Sequence, residues 1–497
     1  MKQNACSNVS MSFPKNDSFM LFNSLAFLLF LPVVFCLYWS LRRSMKWQNA
    51  LVVVASYLFY GWWNWRFLIL IAITTCCSFV AGLVIEDCLS KENRRWSKWV
   101  SGLNIVLNLG ILAVFKYYNF FVGSFAELFG LDAANLSLNV ILPVGISFYT
   151  FQALSYSIDV YRGKIAASHD VVEFAAYISF FPQLVAGPIE RATNLLPQFQ
   201  KPRCFDYTVA ADGMRQMLWG FFKKLVIADN CAEVANYCFE NYEVQQLGGI
   251  FMLMGAFAFT FQIYGDFSGY SDIAIGAAKL FGISLKRNFN VPYFSRDIAE
   301  FWRRWHISLN TWFVDYVYIP LGGSREGLAK TIRNTFVIFL LSGLWHGANW
   351  TFVAWGLYHA LLFVPLIALH KNRRYMNVAG EGRRLPSMTE VLQMAGTFFL
   401  VMVGWVIFRA ENIAQAGSYL VNMFAGLSHW TPLGNHIRVF FPVLLMLVVE
   451  WLSRRQEHAL AVVPIRWQPL RLIVYAAFFI WMVCARGNQA EFIYFQF

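Results

Sequence analysis

An apolar run over residues 20–39, MLFNSLAFLLFLPVVFCLYW, constrains this chain more than any other feature. It matches the roughly 20 residues a helix needs to cross a bilayer, and it has neither the basic segment nor the small-residue cleavage site of a secretory signal. The run predicts a first transmembrane helix. Further candidate spans cover residues 49–60, 67–85, 99–115, 138–157, 171–186, 214–228, 250–264, 332–345, 350–369, 391–408, 439–451 and 472–484, several of them too short to cross alone. Of 497 residues, 58% are hydrophobic, 18% aromatic and only 14% charged. That leaves too little polar surface to cover soluble domains. The expected fold class is an all-α polytopic membrane protein, with about 10–12 transmembrane helices plus re-entrant and interfacial ones. Residues 1–19 read as a polar N-terminal extension, with Met20 a second possible start, and residues 20–497 as a single transmembrane domain.

Two of these segments, LPVGISFYTF (residues 142–151) and FPQLVAGPIE (residues 181–190), are interrupted by Pro and Gly. Broken helices are tolerated at membrane depth only where protein or a water-filled cavity satisfies the freed backbone, which predicts a bundle around an internal cavity. The net charge is +12. In so apolar a chain the cations must collect in short loops, and nucleic acid is excluded as a partner. Basic residues cluster at 42–46, 91–98, 286–333, 371–384 and at Arg454 and Arg455. The positive-inside rule places these loops in the cytoplasm, with the amino terminus and the terminal EFIYFQF outside. The nine cysteines show neither CxxC spacing nor disulfide-scaffold density, and they read as small hydrophobes.

Polar residues interrupt this background at three places. Within FWRRWHISLNTWFVDYVYIPLGG, residues Trp302, Trp305, Leu309, Trp312 and Tyr316 recur at helical spacing. Arg303, Arg304, His306, Asn310 and Asp315 lie on neighbouring faces, and His306 and Asn310, at i and i+4, are expected to project together. The arginines read equally well as contacts to lipid phosphates on an interfacial helix. The second interruption is LLSGLWHGANW, residues 340–350. A helix starting near Ile332 would carry His346 roughly 20 Å into the membrane, where ionisable groups are costly and line pathways or active sites. Burial there favours the neutral imidazole that a general base requires. Gly343 and Gly347 leave room beside it for substrate or another helix, whereas His359 is expected to bond across helices. The third is QIYGDFSGYSDIAIG, residues 262–276. Asp266 and Asp272, six apart, do not share a helical face and so are not a glycosidase carboxylate pair. They are expected to hold a helix break or to anchor basic residues of the following segment. GPIER, residues 187–191, reads as a turn carrying charge to an interface. Dinucleotide, P-loop, zincin and α/β-hydrolase motifs are not found at these sites, and no metal or bound cofactor is expected.

Together FWRRWHISLNTWFVDYVYIPLGG, LLSGLWHGANWTFVAWGLYH, YGDFSGYSDIAIG, SYLFYGWWN and the terminal FIYFQF resemble the membrane-bound O-acyltransferase family, in its bacterial branch typified by the membrane subunit of alginate O-acetylation. The resemblance runs from Met20 to nearly the end. It implies a multi-helix bundle with a thin central funnel, in which His346 matches the family's near-invariant histidine and His306 its second polar position. It further implies an acyl group passing from cytoplasmic acetyl-CoA to hydroxyls of an extracytoplasmic polysaccharide across the bacterial inner membrane. A periplasmic acetyltransferase is the expected partner. His346, with His306 or Asn310, would divide base and oxyanion duties. Asn310, Asp315 and Asp266 would support or orient, and Arg287, Arg303, Arg304 and Arg325 would meet the donor phosphates. The competing class is a polysaccharide or lipid-linked sugar transporter, with His346 and Asp266 carrying protons, but the inverted repeats it calls for are not seen.

Overall fold

A computed structural model describes residues 20–132, 136–138, 140–185, 187–429, 431–462, 467–485, 487–488 and 490–495. The polar extension at 1–19, and with it the reading of Met20 as a start, lies outside the described residues. The first half of the chain forms α1 (Leu25–Ser40), α2 (Met45–Gly61), α3 (Phe67–Ser90), α4 (Arg94–Leu112), α5 (Tyr118–Phe129), α6 (Ile146–Tyr161), α7 (Val171–Ser179), α8 (Phe181–Leu184), α9 (Ala192–Phe199), α10 (Tyr207–Phe222) and α11 (Asp229–Asn241). It continues with α12 (Gly249–Leu280), α13 (Ile298–Arg304), α14 (Ile307–Phe313), α15 (Leu328–His346), α16 (Trp350–Ala368), α17 (Met388–Arg409), α18 (Ile413–Ala425), α19 (Phe440–Leu452) and α20 (Gln468–Cys484). No strand occurs among the described residues. Among the described residues six helical stretches, Phe67–Ser90, Arg94–Phe129, Gly249–Leu280, Trp350–Ala368, Met388–Arg409 and Gly434–Leu452, are long and apolar enough to cross a bilayer. The chain is an all-α, multi-pass membrane protein.

The molecule is organised around α12. Its 32 residues span about 48 Å, and 83% of its most apolar window is buried inside the protein, so this span is wrapped by protein and not by lipid. Its polar cluster at 266–272 does not break it. The helix expected to stop near residue 264 runs on to Leu280, because Asp266, Ser268 and Asp272 find partners on the helix packed beside it. That neighbour is α10 with its π-helical continuation Lys223–Ala228. The two backbones meet at glycines: a β-carbon on Gly220 would stand 2.6 Å from the Gly269 carbonyl, and one on Gly269 would stand 2.8 Å from the Gly220 carbonyl. Gly213 and Gly276 repeat the arrangement seven residues away. Small residues at such crossings let helices approach where lipid supplies no hydrophobic drive.

Both segments expected to be broken are broken. Residues 142–145 are not helical, and Gly145 takes a left-handed conformation at φ +74°, with the Leu184 carbonyl packed against it. The span expected over 171–186 divides at Phe180 into α7 and α8. Three of the basic segments, 286–333, 371–384 and the pair Arg454 and Arg455, meet at one face. There Tyr38 and Trp39 bond the carbonyls of Phe281 and Leu280, Arg304 and Arg296 pair with Glu300, and Arg454 donates to the carbonyls of Ala379, Gly380 and Arg383. Residues 490–495 do not form a free tail: Phe492 and Ile493 are packed into the core.

Candidate active site

His306 stands at a break in what the spacing presents as one helix. α13 ends at Arg304, Trp305 is extended, and His306 adopts a left-handed conformation at φ +45° as the N-cap of α14. That conformation is strained for a residue with a β-carbon. Asn310 holds it, its amide donating to the carbonyls of Trp302 and Trp305 at 2.6 Å each. His306 and Asn310 therefore do not project from one helical face as their spacing suggested. Asn310 closes the break, with both amide protons engaged. The aromatic stripe divides at the same point, Trp302 packing on Phe339 and Trp355 while Trp312 stacks on Phe151.

Residues 286–291 run alongside this break. The Ile307 N–H donates to the Asn288 carbonyl at 2.9 Å, and the Asn290 N–H donates to the Arg304 carbonyl at 2.9 Å. The Asn288 side chain reaches the imidazole, its Oδ1 lying 3.1 Å from His306 Nδ1. The same oxygen takes the Ser308 N–H at 3.3 Å and the Ser308 hydroxyl at 2.9 Å, and Nδ2 donates to Ser271 of α12 at 3.2 Å. His306 is 1% exposed, and among the described residues its Nε2 has no hydrogen-bond partner.

His346 is the last residue of α15. The carbonyls of a final helical turn lack intrahelical partners, and side chains from another helix close them here. Lys116 Nζ donates to the carbonyls of Trp345 at 2.7 Å and His346 at 3.1 Å, and the Tyr117 hydroxyl donates to that of Leu344 at 2.8 Å. Both come from a π-helical turn, Ala113–Tyr117, between α4 and α5, an irregularity frequent at functional sites. Gly343 and Gly347 seat α16: β-carbons there would collide with the Phe352 backbone and ring.

The two imidazole centroids lie 6.4 Å apart, with the Trp345 ring 5.5 Å from His306 and 5.0 Å from His346. His346 Nδ1 is 3.2 Å from the Tyr494 hydroxyl. Tyr494 is delivered by the end of the chain, which folds back into the core. The Ile493 N–H donates to Asp266 Oδ2 at 2.7 Å, and Lys224 donates to the Ala490 carbonyl at 3.0 Å. Lys224 also pairs with Asp266 at 2.8 Å and Asp229 at 2.9 Å. Asp266 is thus an anchor whose cation precedes it in the chain, contrary to the expectation of a partner in the following segment. Asp272 likewise pairs with Lys223, at 2.6 Å.

A polar cleft is lined by Lys223, Ser271, Asp272, Arg287, Asn288 and Glu450, and it reaches His458 at the loop after α19. His458 lies 3.0 Å from Asp212, and burial is the main influence holding its pKa below the usual histidine range. Of the four arginines singled out from the sequence, only Arg287 borders this cleft. Arg303 donates to the carbonyls of Asn372 and Tyr375, Arg304 pairs with Glu300 and donates to the Asn377 carbonyl, and Arg325 is exposed. Asp315 pairs with Arg191 of the GPIER turn. Among the described residues His359 makes no interhelical hydrogen bond; both ring nitrogens lack a partner there, and the ring sits 5.0 Å from those of Trp302 and Trp355. Four residues at the site escaped the sequence reading: Asn288, Lys116, Lys224 and Tyr494. The two lysines did leave a signal, a cation inside an apolar run.

Residues 58–399 match the membrane-bound O-acyltransferase family. The chain is 43% identical over 410 residues to the probable alginate O-acetylase AlgI of Pseudomonas aeruginosa, an alignment covering 82% of this chain and 75% of that protein. It is 35% identical over 434 residues to the peptidoglycan O-acetyltransferase of Helicobacter pylori, covering 81% and 80%. It is 29% identical over 293 residues to the teichoic acid D-alanyltransferase of Bacillus subtilis, covering 55% and 70%. With two buried histidines brought together inside a multi-pass helical bundle, these matches establish that the chain belongs to the membrane-bound O-acyltransferase family and is an O-acyltransferase.

Proposed function

We propose that this chain moves an acetyl group from cytoplasmic acetyl-CoA to hydroxyls of an extracytoplasmic polysaccharide, across the bacterial inner membrane and through a periplasmic acetyltransferase partner. One observation carries the reading. The His306–His346 pair, 6.4 Å between centroids, lies between a polar cleft that opens at the basic-loop face and a C-terminal segment folded in from the other end of α20. A thioester entering from the cytoplasm and a hydroxyl entering from outside would meet there. The reaction forms an oxygen–carbon bond and breaks the carbon–sulfur bond, and the hydroxyl proton ends on the departing thiolate. An imidazole that accepts that proton and returns it serves both halves, and exclusion of water by the buried aromatic walls suppresses hydrolysis. We assign His346 the central role and His306 its complement, with Asn310, Asp315 and Asp266 acting through structure. Arg287, on the cleft, is the first candidate for the donor phosphates, followed by the exposed Arg325; Arg303 and Arg304 hold the 371–384 loop. A glycan acceptor is supported by two of the relatives, a probable alginate O-acetylase and a peptidoglycan O-acetyltransferase.

The test uses the full chain in nanodiscs with radiolabelled acetyl-CoA, a soluble polysaccharide as hydroxyl acceptor and a periplasmic extract that supplies the partner. CoA release is expected from the wild type and a loss on the order of 10²- to 10⁴-fold in His346→Ala and His306→Ala of normal elution profile. A wild type that neither binds nor cleaves acetyl-CoA overturns the donor assignment. Complete acetylation of a polysaccharide by this chain alone overturns the partner.

A further inference from the structure

We infer that Asn288 is a positioning residue that fixes the tautomer of His306, placing the proton on Nδ1 and presenting Nε2 to the reaction as a hydrogen-bond acceptor. The inference rests on the acyltransferase site proposed above and deepens it, because that reading leaves open which imidazole accepts a proton and which group donates to the developing oxyanion.

The polarity of the contacts carries the argument. A backbone N–H can only donate, so the Ser308 N–H at 3.3 Å identifies the facing atom of Asn288 as its oxygen. A flipped amide would set donor against donor there. The Ser308 hydroxyl agrees: it accepts the Ile189 N–H at 3.0 Å, so its own proton points to Asn288 Oδ1 at 2.9 Å. The other end of the amide agrees as well, with Nδ2 donating to Ser271 at 3.2 Å. A carbonyl oxygen has no proton to give. The 3.1 Å contact between Asn288 Oδ1 and His306 Nδ1 is therefore a hydrogen bond with the proton on Nδ1. A neutral ring so bonded keeps its remaining lone pair on Nε2, the atom that is buried and without a partner. The neighbours of the ring are Phe267 at 4.6 Å, Trp345 at 5.5 Å and His346 at 6.4 Å between centroids.

Two consequences separate this from a structural role. His306 cannot serve as an Nε2–H donor to an oxyanion, and neither can Asn310, whose amide protons are taken by Trp302 and Trp305. His306 instead takes a hydrogen bond from a hydroxyl or thiol. The chain of donors also gives the GPIER turn a purpose, since Ile189 orients the serine that orients Asn288.

The experiment reads the tautomer directly, without substrate, by solid-state NMR of ¹⁵N-histidine-labelled full-length protein in lipid, with His306 assigned by its absence in His306→Gln. The wild type is expected to show His306 protonated on Nδ1. Asn288→Ala should mix the tautomers and lower kcat on the order of 10²-fold. Asn288→Asp, which retains the acceptor, should keep Nδ1 protonated and recover part of kcat. Wild-type His306 protonated on Nε2 overturns the inference, as does equal loss of kcat in both variants. Were Asn288→Ala not to fold, the wild-type spectrum alone would decide. Nδ1 protonation in a protein that turns over no acetyl-CoA would leave the tautomer standing and remove the donor.

Discussion

Lys116 and Tyr494 both reach His346, one through the backbone and the other through the ring. Lys116 caps the final carbonyls of α15, so Lys116→Met should leave two buried acceptors unsatisfied and cost about 1–3 kcal/mol. Thermal unfolding in detergent should show a lowered midpoint, with CoA release reduced by more than the unfolded fraction explains, and Lys116→Arg should retain much of both. Tyr494→Phe keeps the ring contacts and removes only the hydroxyl 3.2 Å from His346. The expected effect is a fall in CoA release of about tenfold, the worth of one hydrogen bond of about 1.4 kcal/mol; unchanged release would show that this contact has no part in orienting the imidazole. The histidines themselves were legible, because an ionisable ring in an apolar run is costly enough to need a reason. Asn288 was not. Its neighbours KRNFN read as a polar loop, and its importance arises only where a break in the chain brings His306 and Ser308 back against it.

Periodicity announced the aromatic stripe of residues 302–316 and still misread its geometry, since α14 resumes helical spacing one residue after the left-handed turn at His306. A moment in the sequence cannot register a change of axis. The polar cluster of α12 misled in the opposite sense: residues that look like a helix break are accommodated because Lys223 and Lys224 on the adjoining π-turn meet them. Removing such a partner should be severe. Lys224→Met strands Asp266 and Asp229 in the core, and a loss of about 3–5 kcal/mol is expected, together with release of the C-terminal segment that both Lys224 and Asp266 hold. Limited carboxypeptidase digestion should remove residues 490–495 from the variant and leave them in place in the wild type. The glycine crossing of α10 and α12 gives a second expectation. Gly220→Val places a side chain where even a β-carbon stands 2.6 Å from the Gly269 carbonyl, so the variant should lose its monodisperse elution profile, whereas Gly102→Val, where nothing lies within 4 Å, should not.

At the scale of the molecule, composition and the apolar runs made a polytopic helical bundle legible, and loop charge supplies an expected orientation; the return of residues 490–495 into the core, with Tyr494 beside His346, left no mark in periodicity because it is a contact 148 residues long. The functional reading depends on that orientation, since the donor must reach the cleft from the face that carries the basic loops. Two exposed residues report on it from either end of α17, whose 22 residues span about 33 Å. Lys371 follows α16 in the loop held by Arg303 and Arg304. Glu411 follows α17 and is tied through its carbonyl to Asn349 at the turn between α15 and α16. On a background with the native cysteines replaced, Glu411→Cys should react with a membrane-impermeant maleimide in intact cells, and Lys371→Cys only after the membrane is opened. The reverse pattern would turn the cleft outward, and a cytoplasmic thioester could then no longer reach the histidine pair through it. Agreement would fix the direction of acyl movement through the bundle, from the basic face toward the end of α15.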